Sequence, residues 1–210
     1  MAPSPETPQD PAPIGRSGSY SKGVARRKEI LDRALEVFRE RGPEGTSLRR
    51  VAEEIGVSHG ALLHYFRSRE QLLLALYEHT ETHRQEQRAE AEHAESEDPG
   101  AVEAMISAAR VNVHSPGYVQ LYSTLVAGAL EERNPEARQF FTERFERVRE
   151  AAVQRLRRQQ ESGEIRADLD VDKLAALIVA ASDGLQTQWL LDSDIDLEGS
   201  LRMVEDLLRP

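Results

Sequence analysis

From Ile30 to Leu208, apolar residues return every three or four positions, and no run alternates apolar and polar as a half-buried strand would. That period restricts the chain to an all-α fold. Ile30, Leu31, Ala34, Leu35 and Phe38 share one face of a helix from about Lys22 to Arg41, closed by Gly42-Pro43. Leu48, Val51, Ala52 and Ile55 then fall at i, i+3, i+4 and i+7, with Thr46 or Ser47 as N-cap and Gly56 where positive φ is needed. Ser58 caps a third helix carrying Ala61, Leu62 and Phe66, and Ser68 caps a long fourth reaching about Glu95. After the break at 96–100 come helices over Val102 to Val113 and from Pro116-Gly117 to about Glu132. Asn134-Pro135 opens another, with Ala137, Phe141, Phe145, Val148, Ala152 and Leu156 in register until near Gly163. Asp170 starts a helix to about Leu190, and Asp196 starts the last, with Leu197, Leu201, Val204 and Leu208 on one face.

Charge decides which part of this chain can meet a polyanion. The whole carries 27 Lys+Arg against 37 Asp+Glu, a net of −10, but the acid is not evenly spread. Residues 20–69 hold 11 basic and 7 acidic side chains, so a modestly basic head joins an acidic body. Without cysteine, disulfides and thiolate metal sites are excluded. No apolar run approaches the roughly 18 residues of a membrane span, and no secretory signal opens the chain, so a cytoplasmic protein without a membrane partner is expected. Five of the ten prolines lie before Gly18, and residues 1–19 read as a disordered arm.

Helix, turn at Gly56, helix is the spacing of a helix-turn-helix, in which the second helix enters the major groove of double-stranded DNA. Ser58 and the free N–H groups beside it suit a phosphate, Gly60 permits close backbone approach, and His59, Leu63, His64 and Tyr65 project around them. The same spacing serves ordinary helical hairpins in ligand-binding or protein-interaction modules. The stretch TSLRRVAEEIGVSHGALLHYFRSREQLL, however, resembles the DNA-binding domain of the TetR family of transcriptional regulators. The resemblance implies a three-helix DNA-binding head (20–67), joined by a long helix to a helical effector-binding and dimerisation domain (68–210). It also implies repression from a palindromic operator by a homodimer that a small molecule releases. DNA contacts follow at Thr46, Ser47, Arg49, Ser58, His59, Gly60, Leu63, His64, Tyr65 and Arg69. His59 and Leu63 depart from the family's usual basic residue and tyrosine; Leu63 offers an apolar contact to a thymine methyl. Upstream, Lys22 and Arg26, clustered with Arg27 and Lys28, are either a solvated helix start or a second phosphate contact.

In the body, Met105, His114, Tyr118, Tyr122, Phe141, Phe145, Gln186 and Trp189 are candidate effector contacts, though aromatic residues at helical spacing also serve as plain core. The helix from Val171 is apolar nearly all round and needs cover on two sides. Its cover is either the subunit's own core alone or also a second subunit through Leu174, Leu177, Ile178, Ala181 and Leu185, with Leu201, Val204 and Leu208. His79 and His83 stand at i, i+4, but in so polar a helix a solvated face is the better reading than a metal site. With no glycine-rich phosphate loop or nucleophile elbow, neither an enzyme nor a cofactor is expected.

Overall fold

The computed structural model describes residues 17–42, 47–94, 99–131 and 134–210, with side chains over all of these except 17–21 and 85–94. Among them are nine helices and no strand. Helices α1 (Ser17–Arg41), α2 (Leu48–Ile55) and α3 (His59–Tyr65) form the head, and α4 (Arg69–Ala94) runs on into the body. The body adds α5 (Ala101–Val113), α6 (Pro116–Ala129), α7 (Pro135–Glu161), α8 (Val171–Leu191) and α9 (Leu197–Leu208). Helix α1 begins at Ser17, so the last residues of the arm expected over 1–19 are helical; residues 1–16 and Thr46 lie outside the described residues.

The core joins head to body. Ile30, Leu31, Ala34, Val37 and Phe38 of α1 meet Val51, Ala52 and Ile55 of α2, and Leu62 with Phe66. The same cluster continues without a gap through Leu72 to Tyr77 of α4 into Leu121, Tyr122, Leu125, Ala137 and Phe141. Helix α4 is thus a shared wall of head and body. A second cluster joins α5, the C-terminal half of α7, α8 and α9 around Ile106, Leu156, Ile178 and Leu201.

Helix α8 is long and apolar enough, by length and mean composition, to cross a membrane, although Asp172, Lys173 and Asp183 interrupt its apolar run. It packs instead against α5, α6, α7 and α9, burying Ala175, Ile178, Val179, Ser182 and Gln186.

Charge fixes α9 onto α5. Arg110 grips Glu198 with two nitrogens, Nε at 2.9 Å and Nη2 at 2.5 Å, while Arg202 adds Nη2 at 3.0 Å. Hydrogen bonds from Arg110 and then Arg202 hold the Glu198 carboxyl down at about 2, against an ordinary value near 4.5. Because the folded value is the lower one, this contribution to stability is full above pH 4.5 and is lost as pH falls through about 2. Replacing Arg110 by Ala should flatten the dependence of the melting temperature on pH within that window. Parallel thermal melts of the two proteins measure the difference.

Candidate nucleic-acid interface and effector core

Each helix of the helix-turn-helix is started by its own serine. Ser47 Oγ accepts the Arg50 N–H at 3.2 Å, Ser58 Oγ the Ala61 N–H at 3.1 Å, and Ser68 Oγ the Gln71 N–H at 3.1 Å. Gly56 ends α2 with φ 71°, the left-handed conformation that costs a side-chain-bearing residue strain, and the Val57 N–H returns to Ala52 O at 2.9 Å. This sharp turn sets the angle between α2 and α3. Gln71 closes the far end, its Oε1 accepting the Arg67 N–H at 2.9 Å.

Helix α3 packs through Leu62, which is fully buried, and Phe66 follows beneath it. Opposite, His59, Gly60, Ala61, Leu63 and His64 are exposed, with Tyr65 half-buried and edge-on to His64. Leu63 is 39% exposed, an apolar side chain offered to solvent on an otherwise polar face. Ser47 and Arg49 are exposed at the start of α2, and Arg49 pairs with Glu53 at 3.1 Å. Arg69 is half-buried at the start of α4. On α1, Lys22 and Arg26 are exposed, Arg26 pairing with Glu29 at 2.5 Å. Arg27 of the same basic cluster is exposed too, its guanidinium 5.1 Å from the centre of the Phe66 ring.

The body holds a polar core within an aromatic one. Tyr77 of α4 stacks on Tyr118 and Tyr122 of α6 at 5.2 and 5.8 Å and meets Phe140 and Phe141 of α7. Tyr77 and Tyr118 both donate to Glu81, and Tyr122 donates to Asp183 at 2.7 Å. Arg144 lies 4.8 Å over the Tyr122 ring. On the other side, Arg84 covers Tyr118 at 4.0 Å and donates to Asn112, which donates to Gln186. Burial pushes the Tyr118 hydroxyl up to about 12, and burial likewise raises Tyr77, Tyr122 and Asp183. Glu81, Arg144 and Asp183 were not among the residues singled out from the sequence. Their signal was an ionisable residue on an otherwise apolar face, Arg144 lying one turn beyond Phe140 and Phe141.

Of the expected effector contacts, Tyr118, Tyr122 and Phe141 come together here, with Phe145 packed against the same cluster and Gln186 joined through Asn112. Met105 and Trp189 pack on the second core cluster. His114 is exposed and binds Arg110 O at the end of α5. A separate cleft of about 920 Å³ opens where α4 begins, lined by Arg67, Arg69, Gln71, Thr124, Glu131 and Glu136. His79 bonds Asp32 at 2.6 Å, tying α4 to α1.

The residues expected at a subunit interface divide. Ile178, Leu201 and Leu208 are buried in the subunit's own core and are unavailable to a partner. Leu174, Ala181, Leu185 and Val204 are half-buried, whereas Leu177 is 67% exposed. Leu177, Ala180, Gly184 and Leu191 form an open strip along α8, and Met203 and Leu207 of α9 are exposed as well.

Residues 30–76 match the sequence model of the bacterial regulatory proteins of the tetR family, and residues 119–209 that of the C-terminal region of BetI-type transcriptional repressors. The HTH-type transcriptional repressor AcnR of Corynebacterium diphtheriae is 31% identical over 185 residues, covering 88% of this chain and 92% of its own. The HTH-type transcriptional repressor Rv1474c of Mycobacterium tuberculosis is 30% identical over 191 residues, covering 89% and 94%. Among solved structures, Salmonella enterica GusR superposes with a TM-score of 0.61 at 26% identity, covering 88% of this chain and 96% of its own.

Proposed function

The chain belongs to the TetR family of bacterial regulatory proteins, and from that membership we propose that it is a cytoplasmic, homodimeric transcriptional repressor. Two copies of α3 enter successive major grooves of a palindromic operator, half-sites about 34–36 Å apart. The observation that carries this reading is the outward face of α3, where a capped N-terminus, Gly60, Leu63 and His64 stand exposed above an anchored Leu62.

The N–H groups opening α2 and α3, with Ser47, Ser58, Arg49 and Arg69, hold phosphates and set the register. His59, Gly60, Leu63, His64 and Tyr65 face base edges, while Lys22 and Arg26 extend the phosphate contact from α1. The open strip on α8 and α9 is the surface that a second subunit covers. A small molecule acts on the tyrosine-rich core, and because Tyr77, Glu81 and Arg84 all belong to α4, a rearrangement there changes the separation of the two heads.

DNA fragments selected by the purified protein should share a palindrome, and affinity measured by fluorescence anisotropy should fall steeply with salt. Leu63→Ala should weaken the preference for thymine at one position of each half-site by about tenfold, with affinity for other sequences little changed. Absence of palindrome-dependent binding at low salt would overturn the reading.

A further inference from the structure

Arg144 keeps one guanidinium nitrogen buried without the hydrogen-bond acceptor such a nitrogen normally has. Its Nε is the one buried side-chain polar atom among the described residues with no hydrogen-bond partner. Its Nη1 reaches the Tyr122 hydroxyl only at 3.5 Å, the outer limit of a hydrogen bond. The neighbouring carboxylates are engaged by tyrosine hydroxyls, Glu81 by Tyr77 and Tyr118 and Asp183 by Tyr122. Buried donors without acceptors are costly, and a guanidinium's planar fork fits an oxyanion better than any other group.

We propose that the effector is an organic anion, a carboxylic acid with an apolar skeleton, whose carboxylate takes the Arg144 guanidinium while its skeleton lies against the tyrosine and phenylalanine rings. This rests on the reading of the chain as an effector-released repressor and names the chemistry of that effector. Aromatic faces with two acids could also attract an organic cation. Here that place is taken: the Arg144 guanidinium lies 4.8 Å from the Tyr122 ring centre and 5.9 Å from that of Tyr77. A second cation would meet it directly. Attraction to the tyrosines and then to Glu81 and Asp183 raises the pKa of Arg144, so the guanidinium stays charged despite its burial.

The position couples binding to α4. Tyr77 and Glu81 lie one turn apart on α4 and both meet this core, so a carboxylate that draws Arg144 away from the Tyr77 and Tyr122 rings changes the packing of α4.

The test uses one skeleton with three head groups, 3-phenylpropanoate, 3-phenylpropylamine and 3-phenylpropanol, on the full-length protein. Thermal stabilisation and release of selected DNA are read for the wild type, Arg144→Lys and Arg144→Gln. The carboxylate should stabilise and release the wild type, with the amine and alcohol inactive. Arg144→Gln should weaken the carboxylate by about tenfold or more, and Arg144→Lys by less. Should Arg144→Gln fail to fold, the Lys variant and the head-group comparison still decide. Stabilisation by the amine, equal response of wild type and Gln variant, or no response from any compound would overturn the proposal. Loss of DNA binding by the unliganded wild type would instead overturn the repressor reading.

Discussion

Leu177→Glu is expected to sediment as a monomer and to lose operator binding, with its helical content intact. The reasoning starts from the face on which Leu177 stands. It is 67% exposed on α8, in line with Ala180, Gly184 and Leu191 at the three-and-four spacing of a helix–helix seam. The opposite face of α8 is anchored by Ala175, Ile178, Val179 and Ser182, so a charge at 177 leaves the subunit's own core untouched. Between two subunits, the same carboxylate meets its symmetry mate across an apolar surface, which neither solvates nor pairs it. A monomer brings one α3 to one half-site. Losing the second should reduce specific affinity by about a thousandfold or more, toward the level of non-specific binding. Analytical ultracentrifugation and anisotropy on one sample measure both effects. A dimer that persists would remove α8 from the interface, whereas a monomer that still binds the palindrome tightly would remove the dimer from the mechanism.

How much of this was legible in the sequence depended on whether local or tertiary facts decided it. The caps at Ser47, Ser58, Ser68, Asn134, Asp170 and Asp196 were readable because a cap is a local hydrogen bond to an N–H three residues on. The turn at Gly56 was readable for the same reason. The face of α8 was not. With apolar residues nearly all round, periodicity cannot tell the side that meets α5 and α7 from the side left open, and Ile178 and Leu177 look alike until the neighbours are in place. The polar core was hidden differently. Glu81, Arg144 and Asp183 lie on three helices far apart in sequence, and in a chain with 30% charged residues none stands out as buried. His114 shows the converse: expected among the effector contacts, it is exposed and its ring bonds Arg110 O at the end of α5.

The second large effect starts in the head. Phe66→Ala should cost about 3–5 kcal/mol, the range for emptying a packed phenylalanine site, with the lost cation–π contact to Arg27 worth a further ~0.5–1 kcal/mol. Phe66 is 1% exposed, it follows α3 immediately, and its backbone N–H binds Leu62 O at 2.9 Å. It therefore both fills the head core and fixes the path by which α3 turns into α4. A loss of this size is a large part of the ~5–15 kcal/mol that stabilises an ordinary domain. The cluster formed by α5, α7, α8 and α9 does not include Phe66, nor does the open strip on α8 and α9. The variant should accordingly remain dimeric while its melting curve, followed by circular dichroism, gains an early phase and DNA binding disappears. That distinguishes it from Leu177→Glu, which should lose DNA binding by dissociating with its head folded. Phe66→Leu, which keeps most of the apolar volume but no ring for Arg27, should fall between wild type and alanine. A single transition at the wild-type temperature with DNA binding retained would mean that α3 is held by α2 and α4 alone, and that Phe66 is not the pin between recognition helix and body.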